Sequence, residues 1–146
     1  MLAPALMGVG HANAAEHSVR NRVLTTTAIV TDDTPVSLLA TGTPVFTSTN
    51  VRCPFNHCTM RVEVSSQFQN IQQPDTVGAV LTVDDSGLDV LPSAELFLDT
   101  ASTTTVATFS WMKEGLNSGN RKVDVFLFSN KTASAGNRIL TIELYN

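Results

Sequence analysis

Polar and apolar residues alternate with a period of two along most of this chain, and helical periodicity is nearly absent. The segment Thr59 to Phe68 shows the pattern best. Met60, Val62, Val64 and Phe68 fall on one side of an extended chain, and Arg61, Glu63, Ser65 and Gln67 on the other. Successive strand side chains point to opposite faces, so this segment predicts a strand with one face on a core and one in water. Val77, Ala79, Leu81 and Val83 repeat the pattern. So do Ala107, Phe109 and Trp111, then Val123, Val125 and Leu127, then Leu140, Ile142 and Leu144. The last three groups define runs from Thr105 to Trp111, Lys122 to Phe128 and Arg138 to Tyr145. They are expected to be consecutive antiparallel strands, the final one built into the sheet. Val23 to Thr31, Val36 to Ala40 and Val45 to Val51 are weaker candidates, and Leu88 to Leu91 and Ala94 to Leu98 add short ones.

Turn residues punctuate these runs. Asp32-Asp33-Thr34-Pro35, Gly42-Thr43-Pro44, Gln73-Pro74-Asp75 and Asp84-Asp85-Ser86-Gly87 lie between strand candidates. Asn117-Ser118-Gly119-Asn120 separates two C-terminal runs, and Ser134-Ala135-Gly136-Asn137 is expected to close the last loop. Eight to nine short strands at intervals of roughly 8 to 12 residues point to an all-β, antiparallel β-sandwich. A jelly roll is the first choice, because it handles nine strands with both termini near one edge.

Composition narrows the setting. The 146 residues make one domain, 42% hydrophobic and 15% charged. Thr and Ser occupy polar positions where a cytosolic protein carries Lys and Glu, and the branched Cβ of Thr suits the exposed face of a strand. The net charge is −4 and the nine basic residues are scattered. That excludes the clustered basic footprint of a nucleic-acid partner and argues against anionic membrane surfaces. No run is apolar for the ~18 residues of a transmembrane segment. Leu2 to Val9 is short and apolar, and Ala12-Asn13-Ala14 supplies the small residues a signal peptidase reads, although no Lys or Arg precedes the run. Residues 1–14 are therefore read as the end of a signal peptide. Residues 15–146 are read as the domain, starting at Ala15 and secreted or periplasmic.

Cys53 and Cys58 are the two cysteines, with Pro54 and Asn56 between them favouring a turn. In an exported chain an even count predicts a disulfide, here at the tip of a hairpin leading into the Thr59 strand. The alternatives are free thiols and metal ligation by Cys53, His57 and Cys58, for which no fourth ligand is obvious: His11 precedes the cleavage site and His17 lies in a tail. Asp84, Asp85 and Asp89 put three carboxylates in a Gly-containing loop, a weak calcium candidate whose spacing does not match an EF-hand. Asp32 and Asp33 are read as a turn. No Gly-x-Ser-x-Gly elbow or phosphate loop is present, so no catalytic residue and no cofactor are assigned. Trp111, in register with Ala107 and Phe109, is expected in the core rather than as a sugar-stacking platform. Phe126 and Phe128 alternate against Val123, Val125 and Leu127, so both faces of that strand are apolar. Either loops cover both sides, or Phe126 and Phe128 form an interaction surface.

The C-terminal segments also carry a resemblance. Phe109-Ser110-Trp111, Gly115-Leu116-Asn117-Ser118-Gly119, Val123-Asp124-Val125 and Arg138-Ile139-Leu140-Thr141-Ile142-Glu143 follow one another. The series resembles a pattern in uncharacterised secreted bacterial β-sandwich proteins. The resemblance implies a fold and an exported setting, and transfers no catalytic residue. The expected function is non-enzymatic binding or assembly at or outside the cell surface, with a protein or glycan partner and scope for a homo-oligomer. The rivals are a lectin-like carbohydrate-binding module, a virion or tail component, and a small jelly-roll hydrolase.

Overall fold

The computed structural model describes residues 24–146 apart from residue 55. The signal-peptide reading, the start at Ala15, His11 and His17 lie outside the described residues. Ten strands follow in order: β1 (Leu24–Asp32), β2 (Val36–Ser37), β3 (Thr43–Cys53), β4 (Cys58–Gln69), β5 (Asp75–Val83), β6 (Val90–Leu91), β7 (Glu95–Thr100), β8 (Thr105–Leu116), β9 (Gly119–Ser129) and β10 (Ser134–Tyr145). Eight are full strands, and β2 and β6 are two residues each. The five clearest alternating runs lie within β4, β5, β8, β9 and β10, whereas only Val36–Ser37 of the Val36 to Ala40 candidate and Val90–Leu91 of the Leu88 to Leu91 candidate are strand.

The strands form two antiparallel sheets packed face to face. Sheet I has the order β1-β10-β4-β8-β6, with β2 also on β10. Sheet II has the order β3-β9-β5-β7. The long pairs are nested: β1 with β10, β3 with β9, β4 with β8, β5 with β7. This is the pairing of one long hairpin, its tip between β5 and β7, rolled into two layers. The three C-terminal strands are therefore consecutive in sequence but not neighbours in a sheet. β9 crosses to sheet II, while β8 and β10 flank β4. Alternation shows that a strand has a core face. It does not show which sheet the strand joins.

The core lies between the sheets. Val62, Val64, Phe68, Phe109, Trp111, Leu140, Ile142 and Leu144 come from sheet I, and Val77, Ala79, Leu81, Val83, Val123, Val125 and Leu127 from sheet II. Phe68 meets Phe109 edge to face at 6.4 Å between centroids, an arrangement that suits the ring quadrupoles. The final strand is central: Leu24 of β1 and Thr59 of β4 both lie opposite Tyr145. Ser134 to Asn137 is not a loop, as the turn residues suggested, but the start of β10. A register shift between Gly136 and Ile139, with Asn137 at φ 45°, absorbs the turn-forming residues as a bulge.

Candidate functional site

The outward face of sheet II carries the clearest surface feature. Strand β9 sends Val123, Val125 and Leu127 into the core, so Phe126 and Phe128 must point outward. The register extends this into an apolar band across all four strands. Pro44 of β3 lies opposite Phe126, and Phe126 opposite Val80 of β5. One row further, Phe128 lies opposite Gly78, and Gly78 opposite Phe97 of β7. Phe126 and Val80 are half-buried, Phe128 is buried, and Phe97 is 62% exposed.

Gly78 explains the burial of an outward-facing ring. A Cβ at residue 78 would stand 2.4 Å from Phe128 Cζ and 2.4 Å from the Leu96 carbonyl oxygen. The Phe128 ring therefore lies over the glycine, where any side chain would hold it off. Phe128 is sheltered by the sheet itself, Phe126 is half-buried, and the exposed aromatic of the band is Phe97. The chain does signal Phe97: Leu96-Phe97-Leu98 is three apolar residues in a row, and a strand must turn one of them outward.

Polar groups border the band. On one side Asp124 accepts a hydrogen bond from the Ser48 N–H at 2.7 Å and pairs with Lys122 at 3.7 Å. On the other, Thr76 donates to Asp99. A shallow depression of about 220 Å³ lies among Thr76, Glu95, Phe97, Phe128 and Asn130. An open one of about 570 Å³ adjoins it at Asp75, Asp99, Thr100 and Lys131. Asp75 is buried, and its carboxylate accepts from the Thr76 N–H at 2.7 Å, the Lys131 N–H at 3.1 Å and the Ser129 hydroxyl. It staples the start of β5 to the end of β9.

Cys53 and Cys58 form a disulfide, with their Cα atoms 6.0 Å apart. Its place differs from the expected hairpin tip. β3 belongs to sheet II and β4 to sheet I, so the bridge closes a corner where the chain changes layers. So small a loop contributes on the order of 2 kcal/mol. His57, the one histidine among the described residues, sits in this turn, exposed and at φ 66°.

The acidic loop is engaged with β9. Asp84, Asp85 and Asp89 have φ of 52°, 64° and 55°, the left-handed conformation that Asp tolerates in turns. Asp84 accepts from the Lys122 N–H at 2.9 Å and from Arg121 Nη1 at 2.9 Å. Burial alone would raise the Asp84 carboxyl. The Lys122 N–H and the Arg121 guanidinium outweigh it and hold the group below the usual carboxylate value. Lys122 Nζ bonds Asp85, which holds the ammonium above its ordinary value. Asp89 stands exposed. Among the described residues no three His, Cys, Asp or Glu side chains gather as metal ligands would.

Trp111 is 2% exposed, packed 6.5 Å from Phe109, so its ring is not offered for stacking. Tyr145 is half-buried on the outward face of sheet I and donates to Glu143. Beside it Arg61 pairs with Glu63 at 3.0 Å and Glu143 at 3.3 Å. Asp32, which the sequence placed in a turn, is the last residue of β1 and pairs at 2.9 Å with Arg138, itself 1% exposed.

No family model matches the chain, and no curated protein matches it. Among solved structures it is similar to chains of infectious bursal disease virus. For the Gt strain the identity is 12% and the TM-score 0.45, covering 84% of this chain and 37% of the other. For the Gx strain the identity is 13% and the TM-score 0.41, covering 82% and 33%. The chain thus spans about a third of the length of either neighbour.

Proposed function

We propose that this chain is an exported, non-enzymatic β-sandwich that acts by binding or assembly, and that the outward face of sheet II is where it meets another protein. The carrying observation is the band of Pro44, Phe126, Val80, Phe128 and Phe97, continuous across four strands and bordered by polar groups. Protein interfaces are built on this plan, with aromatic anchors at the centre and a polar rim. Water bordering Phe97 gains freedom when a partner covers it. Export rests on the disulfide, which persists in oxidising compartments, together with the sequence features of residues 1–14. The nested strand pairing supports the jelly-roll reading of the sandwich, an architecture used for capsid and lectin domains.

A photo-reactive side chain at position 97, in cells of the natural source, tests this. The expected result is a discrete cross-linked adduct with another protein or another copy, outside the cytosol. The same probe at exposed Ser102, in the β7–β8 loop, should give none. No adduct at position 97, or one formed only in the cytosol, would overturn the reading.

A further inference from the structure

We infer that copies of this chain add to one another edge to edge, β1 of one against β8 of the next, extending sheet I into a continuous antiparallel sheet. The inference rests on the assembly half of the reading above but uses a different surface. Among the described residues, each sheet ends in strands whose outer backbone N–H and C=O groups have no strand beside them. Natural proteins blunt such edges with charges, proline, bulges or short strands, because an open edge pairs with any extended backbone.

Sheet II is blunted on both sides. β3 carries Pro44, two register shifts and Ser48 at φ 52°. β7 is six residues long and bears Glu95 and Asp99. Sheet I is not. β6 covers β8 only at Met112 and Lys113, which leaves Thr105 to Ser110 open. That stretch reads Thr-Val-Ala-Thr-Phe-Ser, with no charge, proline or glycine. At the opposite edge Thr25 to Thr31 reads Thr-Thr-Thr-Ala-Ile-Val-Thr, equally unprotected. Its register shift lies at the start, between Leu24 and Thr26, and the charge of Asp32 is matched by Arg138. Both stretches consist mostly of residues that favour strands.

Strand polarity then selects the pairing. β1 is antiparallel to β10, β10 to β4, and β4 to β8, so β8 runs opposite to β1. A second copy set alongside without turning over brings its β1 antiparallel to the open stretch of β8. The hydrogen-bonded alternation continues unbroken, and β6 marks where the added strand stops. The most exposed apolar side chains of the two edges, Val106 at 67% and Ile29 at 66%, would come onto one outward face. A contact between two different surfaces of the same chain is heterologous and repeats without closing unless its rotation closes a ring.

Sedimentation velocity of the full chain over a concentration series tests this, with Ile29→Lys and Val106→Lys as variants. Both sites are exposed, so the variants should keep the wild-type melting temperature. The wild type is expected to form a ladder of species beyond the dimer, and each variant alone should be monomeric. Mixed one to one, the variants should give dimers and nothing larger, since I29K retains an intact β8 edge and V106K an intact β1 edge. A monomeric wild type at all concentrations overturns the inference. So does a mixture that stays monomeric, or an assembly that only one of the two lysines abolishes. Assemblies that survive both lysines but are lost in Phe97→Asp would overturn it while leaving the outward face of sheet II as the docking surface.

Discussion

Arg138 shows how a buried cation can depend on one carboxylate. Its guanidinium is buried, donating from Nη1 to the Ala135 carbonyl at 2.8 Å and pairing through Nη2 with Asp32, while Nε has no partner. Asp32 is the less dependent member: its side chain is partly exposed and also accepts from the Thr34 N–H at 2.9 Å. Removing one member of a buried pair leaves the other charge without compensation, whereas removing the buried cation leaves a carboxylate that water can reach. Asp32→Ala should therefore lower the urea midpoint more than Arg138→Met. Equal midpoints, or the reverse order, would show that the pair does not hold the end of β1. The pair was not legible in the sequence, where Asp32-Asp33-Thr34-Pro35 reads as a turn and Arg138 only as the first residue of the last strand.

Among the elements, β10 bears the most. It pairs with β1 on one side and β4 on the other, and Leu140, Ile142 and Leu144 are fully buried. Each such side chain stabilises the fold by about 1.5 to 3 kcal/mol. Losing three of them, with two ladders of hydrogen bonds, is comparable to the ~5 to 15 kcal/mol that holds a domain together. A chain truncated after Asn137 should be insoluble or unfolded. A cooperative, wild-type-like thermal transition in that truncation would refute the central role of the strand. The strand itself was readable from its alternation. Its position was not, since the same alternation of Leu140, Ile142 and Leu144 would serve an edge strand or a central one. The disulfide corner is a parallel case: Cys53 and Cys58 announce a bridge, but the change of sheet across it is set by where β3 and β4 find partners.

At the scale of the whole molecule, charge sets the response to pH. Asp32 is held below the usual carboxylate value, first by the Thr34 N–H and then by Arg138, and Asp84 by the Lys122 N–H and Arg121 against its burial. A depressed carboxyl binds its proton more weakly folded than unfolded. Its contribution is whole above the unfolded value, near pH 4, and is lost as pH falls through the folded one. Lys122 is raised, chiefly by Asp85, so its contribution is whole below the unfolded lysine value and is lost only above about pH 10. The urea midpoint should be level from about pH 5 to 9 and fall on the acid side, and Asp84→Asn should make the acid fall shallower. An unchanged acid limb in that variant would remove Asp84 from the account.

Period-two alternation and turn residues alone determined the all-β class, the strands and the inward residues, because side-chain direction in an extended chain follows from local geometry. The cysteine pair determined the disulfide, and Phe126 and Phe128 marked β9 as apolar on both faces. Tertiary structure decided which strands pair, that β9 leaves its sequence neighbours for the other sheet, and that Pro44, Val80 and Phe97 join Phe126 in one band. It also decided that Phe128 folds over Gly78 and that, among the described residues, β1 and most of β8 have no strand on their outer side. These depend on contacts between residues far apart in the chain, and two strands with the same alternation are interchangeable until their partners are known.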